Sequence, residues 1–373
     1  SDSNDKRSQL VKWNKQNSNI MHPLTFFTEE EERVRRTYKL ATMNTEITPL
    51  GAMESNFRLE LKPWADPEKI EVFMERINRL MKSQYDQFES LKVEITTSGR
   101  LSERSRSSIL LPLSLQLKAS ERDIRIRGGI CVLGQLSGHN ITRDSGFWQT
   151  LKLLRKRDAR NQRLLVPSNA EADLRQLVAL EEEDFFLRNE VLLVSNIEEA
   201  VEFLGKSKKS GINEAAEEFA KIQEMIGTKS MGPYSVNKKV RAQLEEILTK
   251  NPNHLSAKMI LLRGNASRSR KLESYFIADE LLTILKKASY LNKRDEDSIY
   301  YKHVFELAEG VETAVKKLSP LLDIGDRKLT SPYGELKSCL ETLGRAAEKY
   351  DKRESTATKK AVTTALDDFK LKY

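Results

Sequence analysis

Two short apolar runs separated by one amphipathic stretch constrain the fold of this chain more than any other feature. Residues 163–167 and 190–194 are each predicted to form a short buried strand. Residues 169–180 between them show the apolar spacing of a helix, and Asn196 is placed to cap a further helix. Strands that alternate with helices of this length indicate an α/β layer with partly parallel pairing.

The residues before these runs continue the same alternation. A helix is predicted over residues 66–85, with Asp66 as its cap and Pro67 at its first position. A second helix is predicted over residues 107–118, where Pro112 is tolerable if it lies in the first turn. Further strands are predicted at residues 38–48, 57–61, 91–96, 124–126 and 130–133.

We expect the α/β domain to span residues 38–206 and to follow an arm or linker over residues 1–37. Within the arm, residues 28–36 are predicted to form a short helix. Thr28 is placed to cap it, with acidic residues in the first turn and arginines in the last. The apolar knot around Phe26 is expected to dock the arm onto the domain.

The character of the sequence changes after Gly205. Residues 206–210 read as a polar linker, and residues 211–373 carry helix signals without a convincing strand. An all-α helical domain is therefore expected there. The segment around Pro252 resembles the junction between two tetratricopeptide-type repeats, but no clean period of about 34 residues recurs. Degenerate repeats and an irregular bundle both remain open.

The composition is that expected of a soluble cytoplasmic protein. No apolar run reaches the length of about 18 residues that a transmembrane helix needs, and the polar start lacks a signal-peptide core. Cys131 and Cys339 lie far apart, so neither a disulfide framework nor a zinc site is expected from them alone. The chain begins at Ser1 without a methionine, which leaves open whether it belongs to a longer protein.

Three local motifs follow one another in a fixed order, at residues 127–136, 164–170 and 191–201. Their sequences are RGGICVLGQL, LLVPSNA and VLLVSNIEEAV. Together, and in this spacing, they resemble the proteolytic domain of Lon proteases over about residues 45–205. The resemblance implies a Lon-protease-like α/β fold, which is related to a ribosomal-protein fold. The same architecture occurs in magnesium-chelatase-like ATPases and in a family of DNA-repair ATPases, so the fold does not fix the function.

The resemblance also implies a serine nucleophile and a lysine base, and here the chain departs from the family. The family's serine lies in a turn of small residues, whereas Ser105, the best positional candidate, is surrounded by arginines and a glutamate. The position of the lysine falls near Arg143, and arginine stays charged and cannot accept a proton. His139 could in principle serve as the base, but no third residue that would orient it is evident.

A group of arginines forms the remaining candidate site, and the net charge of +8 permits an anionic partner. Arg125 and Arg127 are predicted to share one face of a strand. If the group converges, it could contact phosphates or nucleic acid; a solvated surface balanced by acids is the competing interpretation. The group comprises Arg100, Arg104, Arg106, Arg125, Arg127, Arg155 and Arg157.

Other chemistries find no support in the sequence. The chain has no phosphate-binding loop of the ATPase type, and its four histidines lack metal-ligand spacing. We therefore expect no cofactor and no metal.

These observations predict a non-catalytic, pseudo-protease module for interaction or assembly, without membrane association. The resemblance implies an AAA+ ATPase as a partner and a ring-shaped homo-oligomer, and a concave surface of stacked helices would hold a protein. Two alternatives stay open. One is an active serine peptidase that uses Ser105 and an unusual base, and the other is a nucleic-acid-binding module that uses the arginine group.

Overall fold

The structure is a computed structural model, and it describes residues 19–20, 24–32, 35–49, 58–64, 75, 79, 91–101, 106–144, 146–155, 162–179, 183–205, 210–227, 232–264, 280–281, 301–318, 338, 341–342, 344–345, 348 and 352–372. The strands in these ranges are β1 (Asn19–Ile20), β2 (Leu24–Glu32), β3 (Arg35–Pro49), β4 (Arg58–Trp64), β5 (Leu91–Leu101), β6 (Ile130–Val132), β7 (Gln135–Ser137), β8 (Asn140–Thr142), β9 (Gln162–Pro167) and β10 (Asn189–Val194).

The first helices in these ranges are α1 (Arg106–Glu121), α2 (Phe147–Arg155), α3 (Glu171–Ala179), α4 (Glu183–Arg188) and α5 (Ile197–Glu202). A single 3₁₀ turn, Ser168–Ala170, leads into α3. The later helices are α6 (Ser210–Ile226), α7 (Gly232–Ser235), α8 (Lys238–Lys250), α9 (Leu255–Gly264), α10 (Tyr301–Leu318) and α11 (Lys352–Lys372).

Eight of the strands form one mixed sheet in the order β10-β9-β6-β2-β3-β5-β4, with β1 paired to β3. Strands β2, β6, β9 and β10 run parallel to one another, whereas β3 pairs antiparallel with β2 and β5. The register places Cys131 between Thr25 and Leu164. Strands β7 and β8 form a separate hairpin. The predicted mixed structure with partly parallel pairing is therefore confirmed.

Apolar side chains on one face of the sheet pack with those of α1 and α5. Strands β9 and β10 supply Leu165 and Leu192 to this cluster, and α1 supplies Leu111 and Leu115. Leu164 on the alternate position of β9 is also buried. Because both faces of the sheet are covered here, these strands read as continuous apolar runs rather than as alternating ones.

Strand β10 ends the sheet, and residues just before and at the start of α9 hydrogen-bond to its outer edge. The Leu193 N–H donates to the Asn253 carbonyl at 2.9 Å, and the Val191 N–H donates to Ser256 Oγ at 2.9 Å. The same Ser256 hydroxyl donates to the carbonyl of Asn189 at 2.7 Å. Backbone groups that an edge strand would otherwise leave open are thereby satisfied, and α9 is fixed to the sheet.

The chain divides into two compact units, residues 1–266 and residues 267–373. The first unit contains the sheet together with α6 to α9, so the helices that follow Gly205 begin within the same unit as the strands. In the second unit, α10 buries Val304, Leu307 and Val311 at the spacing of an amphipathic helix.

The described residues after β10 contain helices and no strand, as the sequence predicts. Within the described ranges, no helix is both long and apolar enough to cross a membrane.

The helix predicted over residues 28–36 is wrong. Residues 24–32 form β2, and each of them is paired with a residue of β3. Pairing along the whole strand satisfies the backbone hydrogen bonds, and this pairing with the next strand outweighs the local capping signal at Thr28. Part of the predicted arm is therefore a strand within the sheet, with Phe26 fully buried.

Two predictions near α1 are also corrected. The helix begins at Arg106, so Pro112 lies beyond its first turn and within its buried part. The segment that follows α1 is not a strand, because the Ile124 N–H donates to the Ala119 carbonyl and the Arg127 N–H donates to the Leu204 carbonyl, each at 2.8 Å. These bonds replace the ladder that a strand would need.

The helix predicted over residues 66–85 lies outside the described residues except at Glu75 and Arg79. Both of these are helical, and their side chains form an ion pair one turn apart.

Candidate functional site

The three sequence motifs meet at the edge of the sheet where β6, β9 and β10 end. Because these strands run parallel, their carboxyl ends lie along one edge. The Ile141 N–H in the hairpin donates to the Ser195 carbonyl at 2.9 Å. Ser168 Oγ and Ser195 Oγ share a hydrogen bond of 2.8 Å. Open α/β sheets place their binding sites at this kind of edge, so we take it as the first candidate site.

Gly134 allows the first motif to approach the second motif closely. Its φ is +97°, and an ideal Cβ at this residue would lie 2.5 Å from Pro167 Cγ and 2.6 Å from the carbonyl oxygen of Thr142. We predict that Gly134→Ala lowers the free energy of unfolding by about 2 kcal/mol, because the left-handed backbone is strained for alanine and the Cβ meets a backbone oxygen. Urea unfolding of the full chain measures this loss.

Gly128→Ala is the matched control, since an ideal Cβ at Gly128 meets no atom within 4 Å. This substitution should change the free energy of unfolding by less than about 0.5 kcal/mol. Equal losses for the two alanine variants would contradict a specific role of Gly134 in joining the motifs.

Arg143 lies in the segment between β8 and α2, where its charge is paired. Its Nη1 atom donates to both carboxylate oxygens of Asp173, at 2.9 and 2.7 Å. Its backbone N–H donates to Asn169 Oδ1 at 3.0 Å. The Asp173 side chain is only 10% exposed, whereas that of Arg143 is 52% exposed. Arg143 is the residue that the resemblance aligns with the lysine. It is held in place by a charge-assisted pair with the largely buried carboxylate of Asp173.

The other two catalytic candidates are His139 and Ser105, and the structure describes only His139. His139 is exposed in the turn between β7 and β8, and its carbonyl accepts a hydrogen bond of 3.2 Å from the Ile197 N–H. Ser105 lies outside the described residues, so its predicted role as a nucleophile stays a prediction.

The predicted arginine group is described only in part. Arg125 and Arg127 are exposed in the loop after α1 rather than on a strand. The guanidinium of Arg155 lies 6.0 Å from the centre of the Trp148 ring, a cation–π contact. The remaining members are either outside the described residues or described without their side chains. They are Arg100, Arg104, Arg106 and Arg157.

At the amino-terminal ends of β9 and β10, opposite the first candidate site, Arg163 and Glu190 form a buried ion pair. Arg163 Nε donates to Glu190 Oε2 at 2.7 Å, and Nη2 donates to Oε1 at 3.1 Å. Arg163 Nη1 also donates to the carbonyl of Phe203 at 2.8 Å. The two side chains are 8% and 13% exposed, so the pair is strong and leaves little charge to solvent.

His254 lies beside this pair in the interior of the first unit. Its Nε2 atom is 3.8 Å from Glu190 Oε1, and its Nδ1 atom accepts a hydrogen bond of 3.2 Å from the Ala257 N–H. The ring packs against Phe219, with 4.5 Å between ring centres. Complete burial lowers the pKa of His254 to about 4, although the neighbouring Glu190 carboxylate opposes the shift. His254 is therefore neutral at pH 7.

Sequence reasoning missed the residues that complete these arrangements. Asn169 and Asp173 lie one helical turn apart, and that spacing was the available signal for their shared contact with Arg143. No local signal links Arg163 to Glu190, because adjacent parallel strands create the contact. Within the described ranges, no group of histidine, cysteine, aspartate or glutamate side chains could hold a metal ion.

Comparison with models of known protein families gives no match for this chain, and a search of curated proteins gives no significant match.

Proposed function

We propose that this chain is a non-catalytic, Lon-like module that acts through interaction or assembly with other proteins. The pairing of Arg143 with Asp173 is the observation that carries the proposal. A guanidinium does not lose its proton near neutral pH, and a carboxylate beside it stabilises the charged form further. A residue held in this way positions neighbouring groups and does not accept a proton from a serine.

The contacts of Arg143 support a structural role at the carboxyl edge of the sheet. The side chain joins the segment after the β7–β8 hairpin to α3, and the backbone N–H joins the same segment to Asn169. Gly134 and Pro167 add a close approach between the hairpin and the end of β9. A preorganised surface of this kind suits recognition of a protein, because little conformational entropy is lost on binding.

The partner that we propose is an AAA+ ATPase, as the resemblance implies, and the assembly that accompanies it is a homo-oligomeric ring. Helices α6 to α9 extend the first unit beyond the sheet and offer a further surface for such a partner.

Hydrolysis of casein tests the non-catalytic part of the proposal. The full chain is compared with Ser105→Ala and Arg143→Lys at the same concentration. We expect no cleavage by the unmodified chain or by Ser105→Ala. Cleavage by Arg143→Lys alone would agree with the proposal, because it would locate the loss of activity at this position. Cleavage by the unmodified chain that Ser105→Ala abolishes would overturn the proposal and establish the serine-peptidase alternative.

A further inference from the structure

A cleft of about 610 Å³ lies at the amino edge of β6, β9 and β10, away from the edge that holds Arg143. Ile130, Arg163 and Glu190 lie side by side along its wall, because the register pairs them across the three strands. Helix α6 supplies the facing wall. A volume of this size is typical of sites for small molecules.

Two arginines in this cleft have no charged partner among the described residues. Arg163 is not one of them, since Glu190 neutralises it. Arg127 and Arg188 line the same cleft, and within the described part of the chain neither guanidinium makes an ion pair. Glu224 is the other acid among the lining residues. Two unpaired cations against one unpaired acid leave the cleft with an excess of positive charge.

Arg188 lines the cleft as a half-buried side chain. Its Nε atom is buried and finds no hydrogen-bond acceptor within the described residues. Buried donors in folded proteins are almost always satisfied by protein, water or ligand, because an unmade bond is costly in a medium of low dielectric. Because this atom is closed to solvent, it is the rest of the half-buried guanidinium that faces an acceptor in the cleft.

Part of the cleft is lined by small residues. Gly128 lies beside Arg127, and α6 presents the small residues Ala216 and Ala220 one turn before Gln223 and Glu224. An ideal Cβ on Gly128 would meet no atom within 4 Å, so the space beside the Gly128 backbone is open.

We infer that this cleft binds a small oxyanionic ligand, whose phosphate or carboxylate group is recognised by Arg127 and Arg188. The planar guanidinium donates two parallel hydrogen bonds and matches the geometry of both groups. The inference goes beyond the proposed function, because it assigns a ligand site that neither a protein partner nor the loss of peptidase chemistry requires.

Isothermal titration of the full chain with sodium pyrophosphate and, separately, with sodium citrate tests the inference. The ionic strength is held constant with sodium chloride. We expect saturable binding of at least one anion, weakened about tenfold or more by Arg188→Gln and several-fold by Arg127→Gln, since each removes a charge-assisted bond. Preference for pyrophosphate assigns a phosphate ligand, and preference for citrate assigns a carboxylate ligand.

Arg125→Gln is the matched control, because Arg125 is exposed two residues from Arg127 and does not line the cleft. It should leave affinity within about twofold of the unmodified chain. If Arg188→Gln does not fold, as judged by circular dichroism, Arg127→Gln is compared with Arg125→Gln instead, because Arg127 is exposed. Absence of saturable binding for both anions, or equal weakening by all three variants, would overturn the inference. Neither outcome bears on casein hydrolysis, so the two proposals fail separately.

Discussion

Arg163→Met should destabilise the protein by about 3 to 5 kcal/mol, the cost of breaking a buried ion pair at one partner. The substitution leaves the Glu190 carboxylate, which is 13% exposed, without its cation, and it removes the donor to the Phe203 carbonyl. Uncompensated charge in the interior accounts for most of the loss. Urea unfolding at pH 7 measures the change in the free energy of unfolding.

Arg175→Met is the matched control for the buried pair. Arg175 pairs with Glu171 one helical turn away, but its side chain is 53% exposed, so we expect a loss below about 1 kcal/mol. The double variant Arg163→Met with Glu190→Leu should recover much of the stability, because apolar packing often replaces a buried pair without loss. A double variant that is less stable than Arg163→Met would contradict this account.

Acidification should destabilise the protein through His254, by about 3 kcal/mol between pH 6.5 and pH 4. Burial lowers the pKa of His254 to about 4, whereas an unfolded histidine titrates near 6.5. The unfolded chain therefore binds a proton in this window that the folded protein does not bind. The stability that His254 contributes is present above pH 6.5 and is lost as the pH drops toward 4. Thermal unfolding over this pH range measures the effect.

His254→Asn separates this effect from the titration of carboxylates. The asparagine oxygen can still accept from the Ala257 N–H, whereas the titrating ring is gone. We expect a shallower pH dependence for His254→Asn than for the unmodified chain. His139→Asn is the control, because it makes the same substitution at an exposed histidine. Parallel curves for the unmodified chain and His254→Asn would contradict a buried neutral histidine.

Local patterns predict much of the first unit because its parallel strands are buried on both faces. The runs at residues 163–167 and 190–194 are strands within one residue of their predicted bounds. Asn196 caps α5 as predicted, and its side chain accepts from the Glu199 N–H. Strand β2 could not be predicted in this way, since its acidic run resembles the start of a helix and its parallel pairing with β6 joins distant parts of the chain.

The candidate sites depend on contacts that a single sequence does not reveal. Arg143 and Asp173 are 30 residues apart, and only the return of the chain from β9 into α3 joins them. Arg127, Arg188 and α6 line one cleft although they lie far apart in the sequence, so only the folded first unit brings them together. Sequence reasoning could single out Arg127 as a phosphate contact but had no means of pairing it with Arg188.

Labelling of the full chain with a fluorophosphonate probe, followed by mass spectrometry of the peptide that contains Ser105, tests the central claim most directly. Such probes react with serines activated by a neighbouring base. A non-catalytic module with a paired arginine at the lysine position should give no modified Ser105 peptide, at neutral or alkaline pH. A stoichiometric adduct on Ser105 that disappears when the protein is unfolded would contradict the claim.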